Sequence, residues 1–122
     1  MPDTGSLRSD VLLVLRRMTD RQSELGPDIV HGLLSEMVEL GPDTFTVTRD
    51  VMATILDQAR RRGELPAADL NPRIVTLPPA LLRHEMLLAM RPISDETLVE
   101  IVDEIYLPVL RAAGLRDRVT ER

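Results

Sequence analysis

Apolar residues recur along this chain at helical spacing and scarcely ever alternate as they do in strands. Leu7, Val11, Val14, Leu15 and Met18 fall at i, i+4, i+7, i+8 and i+11, a stripe that Leu12 and Leu13 widen, so the spacing predicts a first helix from near Leu7. Ser6 or Thr4 can cap it. Pro27 can open a second helix, where its missing N–H costs nothing, with Ile29, Val30, Leu33, Leu34, Met37 and Val38 as the buried face and Gly41-Pro42 as the stop. Residues 44–48 alternate, but one short strand without a partner is unstable, so they read as a turn or the first turn of a third helix. That helix is clear from Arg49, turns Val51, Met52, Ile55, Leu56 and Ala59 inward, and stops at Gly63. Asn71-Pro72 begins a short helix that the Pro78-Pro79 pair interrupts, so a bend and a new helix from Pro79 are expected.

The stretch from Leu77 to Leu110 organises the rest. Between Pro79 and Met90 only Arg83, His84 and Glu85 are strongly polar, and a helix apolar all round needs cover on more than one side. A second copy of the chain is the expected cover. The last helix starts at the N-cap Ser94, with Asp95 and Glu96 in the first turn where the dipole favours them. Leu98, Ile101, Val102, Ile105 and Val109 form its stripe, and Val99, Tyr106 and Leu110 extend it. Pro108 should loosen the last turn and Gly114 should end it. The pattern as a whole predicts an all-α fold of five main helices and one short one. It forms a single domain over residues 1–122, with residues 1–6 as a lead-in and 115–122 as a flexible tail.

Composition narrows what such a fold can do. All 15 basic residues are arginine and the net charge is −5, which argues against gripping a phosphate backbone. Phe45 and Tyr106 are the only aromatic residues, too few for base stacking. Cysteine is absent, so thiolate metal sites and disulfides are excluded. Neither a membrane-spanning run nor a signal peptide is legible, and a cytoplasmic protein is expected.

Chemistry-bearing patterns are few. His31 reads as a solvated residue on the polar side of its helix, whereas His84 either lines a cavity or joins an intersubunit polar network. Asp95, Glu96, Glu100, Asp103 and Glu104 share one face of the last helix, which solvation explains better than a metal site. Arg60 to Arg62 suit the negative end of a helix dipole. No phosphate-binding glycine loop, nucleophile elbow or HExxH pattern occurs, so neither catalysis nor a cofactor or metal is expected. Met18, Met37, Met52, Met86 and Met90 lie on inward faces, as core or as the adaptable lining of an apolar pocket.

Three stretches occur in register: PDTGSLRSDVLLVLRRM at 2–18, ILDQARRRGEL at 55–65 followed by Asp69, Asn71 and Pro72, and RPISDETLVEIVDEIYLPVL at 91–110. Together they resemble the C-terminal regulatory domain of TetR/AcrR-type transcriptional regulators. The resemblance implies a small-molecule effector, a homodimer whose last two helices form a four-helix bundle with those of a second subunit, and operator DNA contacted only through a separate N-terminal helix-turn-helix. Only Met1 precedes Pro2, so that head is expected to be missing from the chain. By the same resemblance Met18, Met37, Met52, Leu56, Leu81 and His84 would line the effector pocket, and Arg83 would anchor an acidic ligand. The dimer surface would draw on Leu82, Met86, Leu88, Leu98 and Ile101, and on Val102, Ile105, Tyr106 and Val109. Two such helices per subunit can bury about 1,200 to 2,000 Å² in total. Two other classes compete: a freestanding α-helical dimeric interaction module, and a small all-α enzyme with inward arginines binding an anionic substrate.

Overall fold

A computed structural model describes residues 3–25, 46–88 and 93–115. Every regular element among them is helical: α1 (Leu7–Leu25), α2 (Thr46–Arg61), the short α3 (Pro72–Val75), α4 (Leu77–Leu88) and a final rod. The rod comprises α5 (Asp95–Glu100), a π-helical turn (Ile101–Tyr106) and α6 (Leu107–Ala112). The architecture is all-α, as the patterning predicts. The expected second helix, with His31 and Met37, lies outside the described residues, as do Met90 and the tail beyond Leu115.

Helix α1 is central, packing against α2, α4 and the rod. Its stripe points inward as expected: Leu7, Val11, Leu12, Val14 and Leu15 are buried, and Met18 packs partly buried against them. Ser6 caps it, the Ser6 Oγ accepting the Ser9 amide at 3.2 Å. Thr4 has another task, described below. Across α1, Met52, Ile55, Leu56 and Ala59 of α2 complete the core. Helix α2 begins at Thr46, which settles the reading of residues 46–48 as helical.

Both glycine stops use the same device. After α2, Gly63 at φ 82° lets its own amide reach the Arg60 carbonyl and the Glu64 amide reach that of Ala59. After α6, Gly114 at φ 105° does the same for Arg111 and Leu110, the latter bonded to the Leu115 amide at 2.8 Å. These paired bonds satisfy carbonyls that a helix end leaves open, and they require a left-handed residue.

Helix α4 begins earlier than expected. Asn71 caps α3 through the Arg73 amide at 2.9 Å, Thr76 alone separates α3 from α4, and α4 starts at Leu77. Pro78 and Pro79 sit in its first turn, where amides have no intrahelical acceptor, so neither proline breaks a bond. Both prolines are buried with Leu82 and Met86. The opposite side, with Ala80, His84, Leu87 and Leu88, is exposed. Among the described residues, one face of α4 is covered and the other is open.

The rod departs from a regular α-helix where Pro108 withholds an amide. Ser94 caps it as expected, accepting the Thr97 amide. The disturbance spreads a full turn upstream, and the Leu107 amide donates to the Val102 carbonyl five residues back. This wide turn changes which residues face inward. Leu98, Val102, Tyr106 and Leu110 are buried at four-residue intervals. Such a column drifts one way around an α-helix, and the wider turn offsets part of that drift. Ile105, expected in the stripe and at the dimer surface, is exposed in the single chain.

Candidate functional site

Two features stand out once the core is accounted for: an apolar outer surface and a buried cluster of charges. The surface comes from α4 and the rod, which pack against each other. Among the described residues the large apolar side chains most open to solvent are Leu88 at 67%, Leu87 at 51% and Ile105 at 42%. Ala80 and His84 continue the patch on α4, and Pro108, Val109 and Ala112 lie along the outer side of the rod. Val109 is half-buried.

Of the nine residues expected at a dimer surface, six are buried within the single chain. Leu82, Met86, Leu98, Ile101, Val102 and Tyr106 are all under 7% exposed within a single chain. They pack into the core between α4, the rod and α1. Leu88, Ile105 and Val109 remain accessible. Leu87, absent from the expected set, joins them. Its exposure follows from the direction of α4, since Leu82 and Met86 fix the inward side and Ala80, His84, Leu87 and Leu88 then share the outward one.

The expected effector-pocket residues also divide. Met52 and Leu56 are buried on α2, while Met18 on α1 and Leu81 on α4 are partly buried against the same core. Arg83 is half-buried, and burial lowers its guanidinium below the ordinary arginine value. His84 points the other way. It is exposed on the same side of α4 as Leu87 and Leu88. Met37 lies outside the described residues.

The charged cluster was not anticipated. Asp10 is fully buried and Glu64 is 8% exposed, and both bond the same Arg62 Nη2, at 3.2 and 3.3 Å. Arg62 Nη1 also reaches Asp3 at 2.9 Å. The other Asp10 oxygen accepts the Thr4 amide at 2.6 Å and the Thr4 hydroxyl at 2.8 Å. Glu64 Oε2 accepts the Leu7 amide at 3.1 Å. These carboxylates sit at the positive end of the α1 dipole and Arg62 at the negative end of α2, so each helix favours the charge placed on it. One signal in the sequence does point here: Asp10 falls between Leu7 and Val14 on the inward stripe, where an acid needs a partner.

Two ion pairs tie the rod to α1. Arg8 grips Asp103 with two bonds of 2.7 and 2.9 Å, and Arg16 grips Asp95 with bonds of 2.8 and 3.2 Å. The hydrogen bond from Arg16 lowers the Asp95 carboxyl below its ordinary value, and that from Arg8 lowers Asp103. Among the described residues no group of three or more His, Cys, Asp or Glu could hold a metal ion, and no helix is long and apolar enough to cross a membrane.

Comparison with known proteins bears on these surfaces. The profile of the family described as "Tetracyclin repressor-like, C-terminal domain" matches residues 1–105. Uncharacterized HTH-type transcriptional regulators of Mycobacterium bovis and Mycobacterium tuberculosis are each 28% identical to the chain, over 93% of its length. The chain spans 59% of the length of these curated relatives. No solved structure matches significantly.

Proposed function

From the finding that the chain belongs to the tetracycline-repressor-like C-terminal domain family, we propose that it is the effector-binding and homodimerising part of a transcriptional regulator, most simply a repressor. The observation that carries the dimer is the exposure of Leu87 and Leu88 on α4 and of Ile105 on the rod, two elements that pack against each other. Exposed apolar groups gathered on one face mark an interaction site. A second copy is the occupant with the right chemistry, because an isologous contact places the same apolar face on both sides. His84 would then lie at the subunit boundary, where its imidazole can bond across the interface.

Effector sensing is proposed for the interior side of α1, α2 and α4, where Met18, Met52, Leu56 and Leu81 offer flexible apolar lining. Arg83 at its margin would favour a ligand that is apolar with an acidic group. DNA binding is proposed for an N-terminal helix-turn-helix, as the HTH-type designation of the longer relatives implies for them. A ligand releases DNA in such a dimer only through unequal affinity for two arrangements of the heads.

Light scattering of the chain before and after Leu88→Asp tests the dimer. Loss of half the particle mass with an unchanged circular dichroism spectrum supports the reading, and an unchanged mass contradicts the face.

A further inference from the structure

The cluster around Arg62 holds the segment leading into α1 at three points. Asp3 is held by Arg62 itself, Thr4 by Asp10, and Leu7 by Glu64. Arg62 joins them, because the same nitrogen that bonds Asp10 bonds Glu64. It lies immediately after α2, on the turn made by Gly63, so the position of this guanidinium follows the C-terminal end of α2.

Stability alone does not account for such a cluster. Charges taken out of water lose hydration that their attraction barely restores, and well-packed apolar residues would hold the same elements as firmly. Directed bonds give a fixed geometry instead. The balance within the cluster is also uneven: three carboxylates converge on one guanidinium, and the Arg62 Nε–H is buried without a hydrogen-bond partner. A fully satisfied polar network rigidifies its surroundings, and this one, with an unpaired Nε–H, falls short of that. Open space around Gly63, with no atom within 4 Å of where a Cβ would stand, leaves room for the turn to shift.

We infer that Arg62 is a positioning residue that couples the C-terminal end of α2 to the direction in which residues 3–6 enter α1. Displacement of the end of α2 carries Arg62, Asp10 follows Arg62, and Thr4 follows Asp10. The use of this coupling rests on the proposed regulator, in which α2 borders the effector and the segment before α1 leads to the DNA-binding head. The coupling itself is a property of this chain.

Amide hydrogen exchange tests it. The Thr4 amide bonds Asp10 and makes no hydrogen bond to Arg62, so a purely local role for Arg62 leaves its exchange unchanged. The coupling predicts that Arg62→Met speeds exchange at both Thr4 and Leu7 by roughly tenfold or more, the loss of charge-assisted bonds, while Leu15 and Leu56 stay protected. Coupling is reciprocal, so Thr4→Val, which removes one bond to Asp10, speeds exchange at the Glu64 amide after α2. Should Arg62→Met expose Leu15 as well, Arg62→Lys keeps the charge without the planar fork, and a smaller rise at Thr4 is expected. Unchanged Thr4 exchange in a folded Arg62 variant overturns the inference, as does an unaffected Glu64 amide in Thr4→Val. Neither readout depends on dimerisation, so a monomeric chain would defeat the proposed function and leave this result standing.

Discussion

Asp10 and Arg62 lie 52 positions apart in sequence and 3.2 Å apart in space, the carboxylate without any solvent exposure and the guanidinium side chain 20% exposed. The pair joins the start of α1 to the end of α2. Removing the cation strands Asp10 and Glu64 in a low-dielectric site. Arg62→Met should therefore cost about 3 kcal/mol, the lower end for breaking a buried ion pair because part of Arg62 is wet. Urea unfolding measures this, and a loss below about 1 kcal/mol would show the cluster to be as weak as a surface pair.

Tyr106 is the chain's one tyrosine, fully buried, and its hydroxyl has no hydrogen-bond partner. Burial pushes its phenol well above the ordinary value of 10.0. The folded state thus favours the neutral form, and the unfolded chain releases the proton first. Its contribution to stability is complete below 10.0 and is lost as pH rises beyond it. Tyrosinate absorbance should appear together with unfolding during an alkaline titration. Tyr106→Phe removes an unsatisfied hydroxyl and should raise stability by about 1 kcal/mol. Ionisation of a still-folded chain would contradict this placement.

Asp95 and Asp103 have lowered native values, through hydrogen bonds from Arg16 and Arg8. Their contribution is present above the ordinary carboxylate value of 3.8 and fades as pH falls through the lower native ones. Exposure keeps it small. Asp103→Asn should cost less than about 1 kcal/mol, and added salt should erase the difference. Melting curves of wild type and an Asp95→Asn/Asp103→Asn double variant should converge in acid, and a gap that persists there would count against these pairs.

The two glycine stops separate strain from crowding. Gly63→Ala meets no neighbour within 4 Å, so left-handed strain alone applies, about 1 kcal/mol. At Gly114 a new Cβ would stand 3.0 Å from Pro66 Cγ, and the cost should be visibly larger. Equal losses in thermal unfolding would argue against the contact with Pro66.

What the sequence made legible follows from how each signal arises. Leu7 to Met18 and Met52 to Ala59 were readable because a helix burying one face leaves an apolar stripe at its own period. A stripe traced at α-helical spacing does not foresee the wide turn between Val102 and Tyr106. Apolar composition on α4 does not say which side faces its own chain. That choice is made in three dimensions by α1 and the rod, and it moved Leu82 and Met86 inward and Leu87 outward. Asp10, Arg62 and Glu64 were passed over because charged side chains ordinarily stay wet. Their pairing spans parts of the chain that no local pattern connects.

The central claim is that the face of Leu87, Leu88 and Ile105 belongs to a homodimer, and sedimentation equilibrium of wild type beside Ile105→Asp tests it most directly. At 42% exposure Ile105 can take a charge in the separated chain, where Val102, fully buried, cannot. The account predicts twice the 13.7 kDa chain mass for wild type at micromolar concentration, and 13.7 kDa with retained helix content and cooperative melting for Ile105→Asp. A wild-type mass of 13.7 kDa, or an Ile105→Asp chain that stays dimeric, would contradict it.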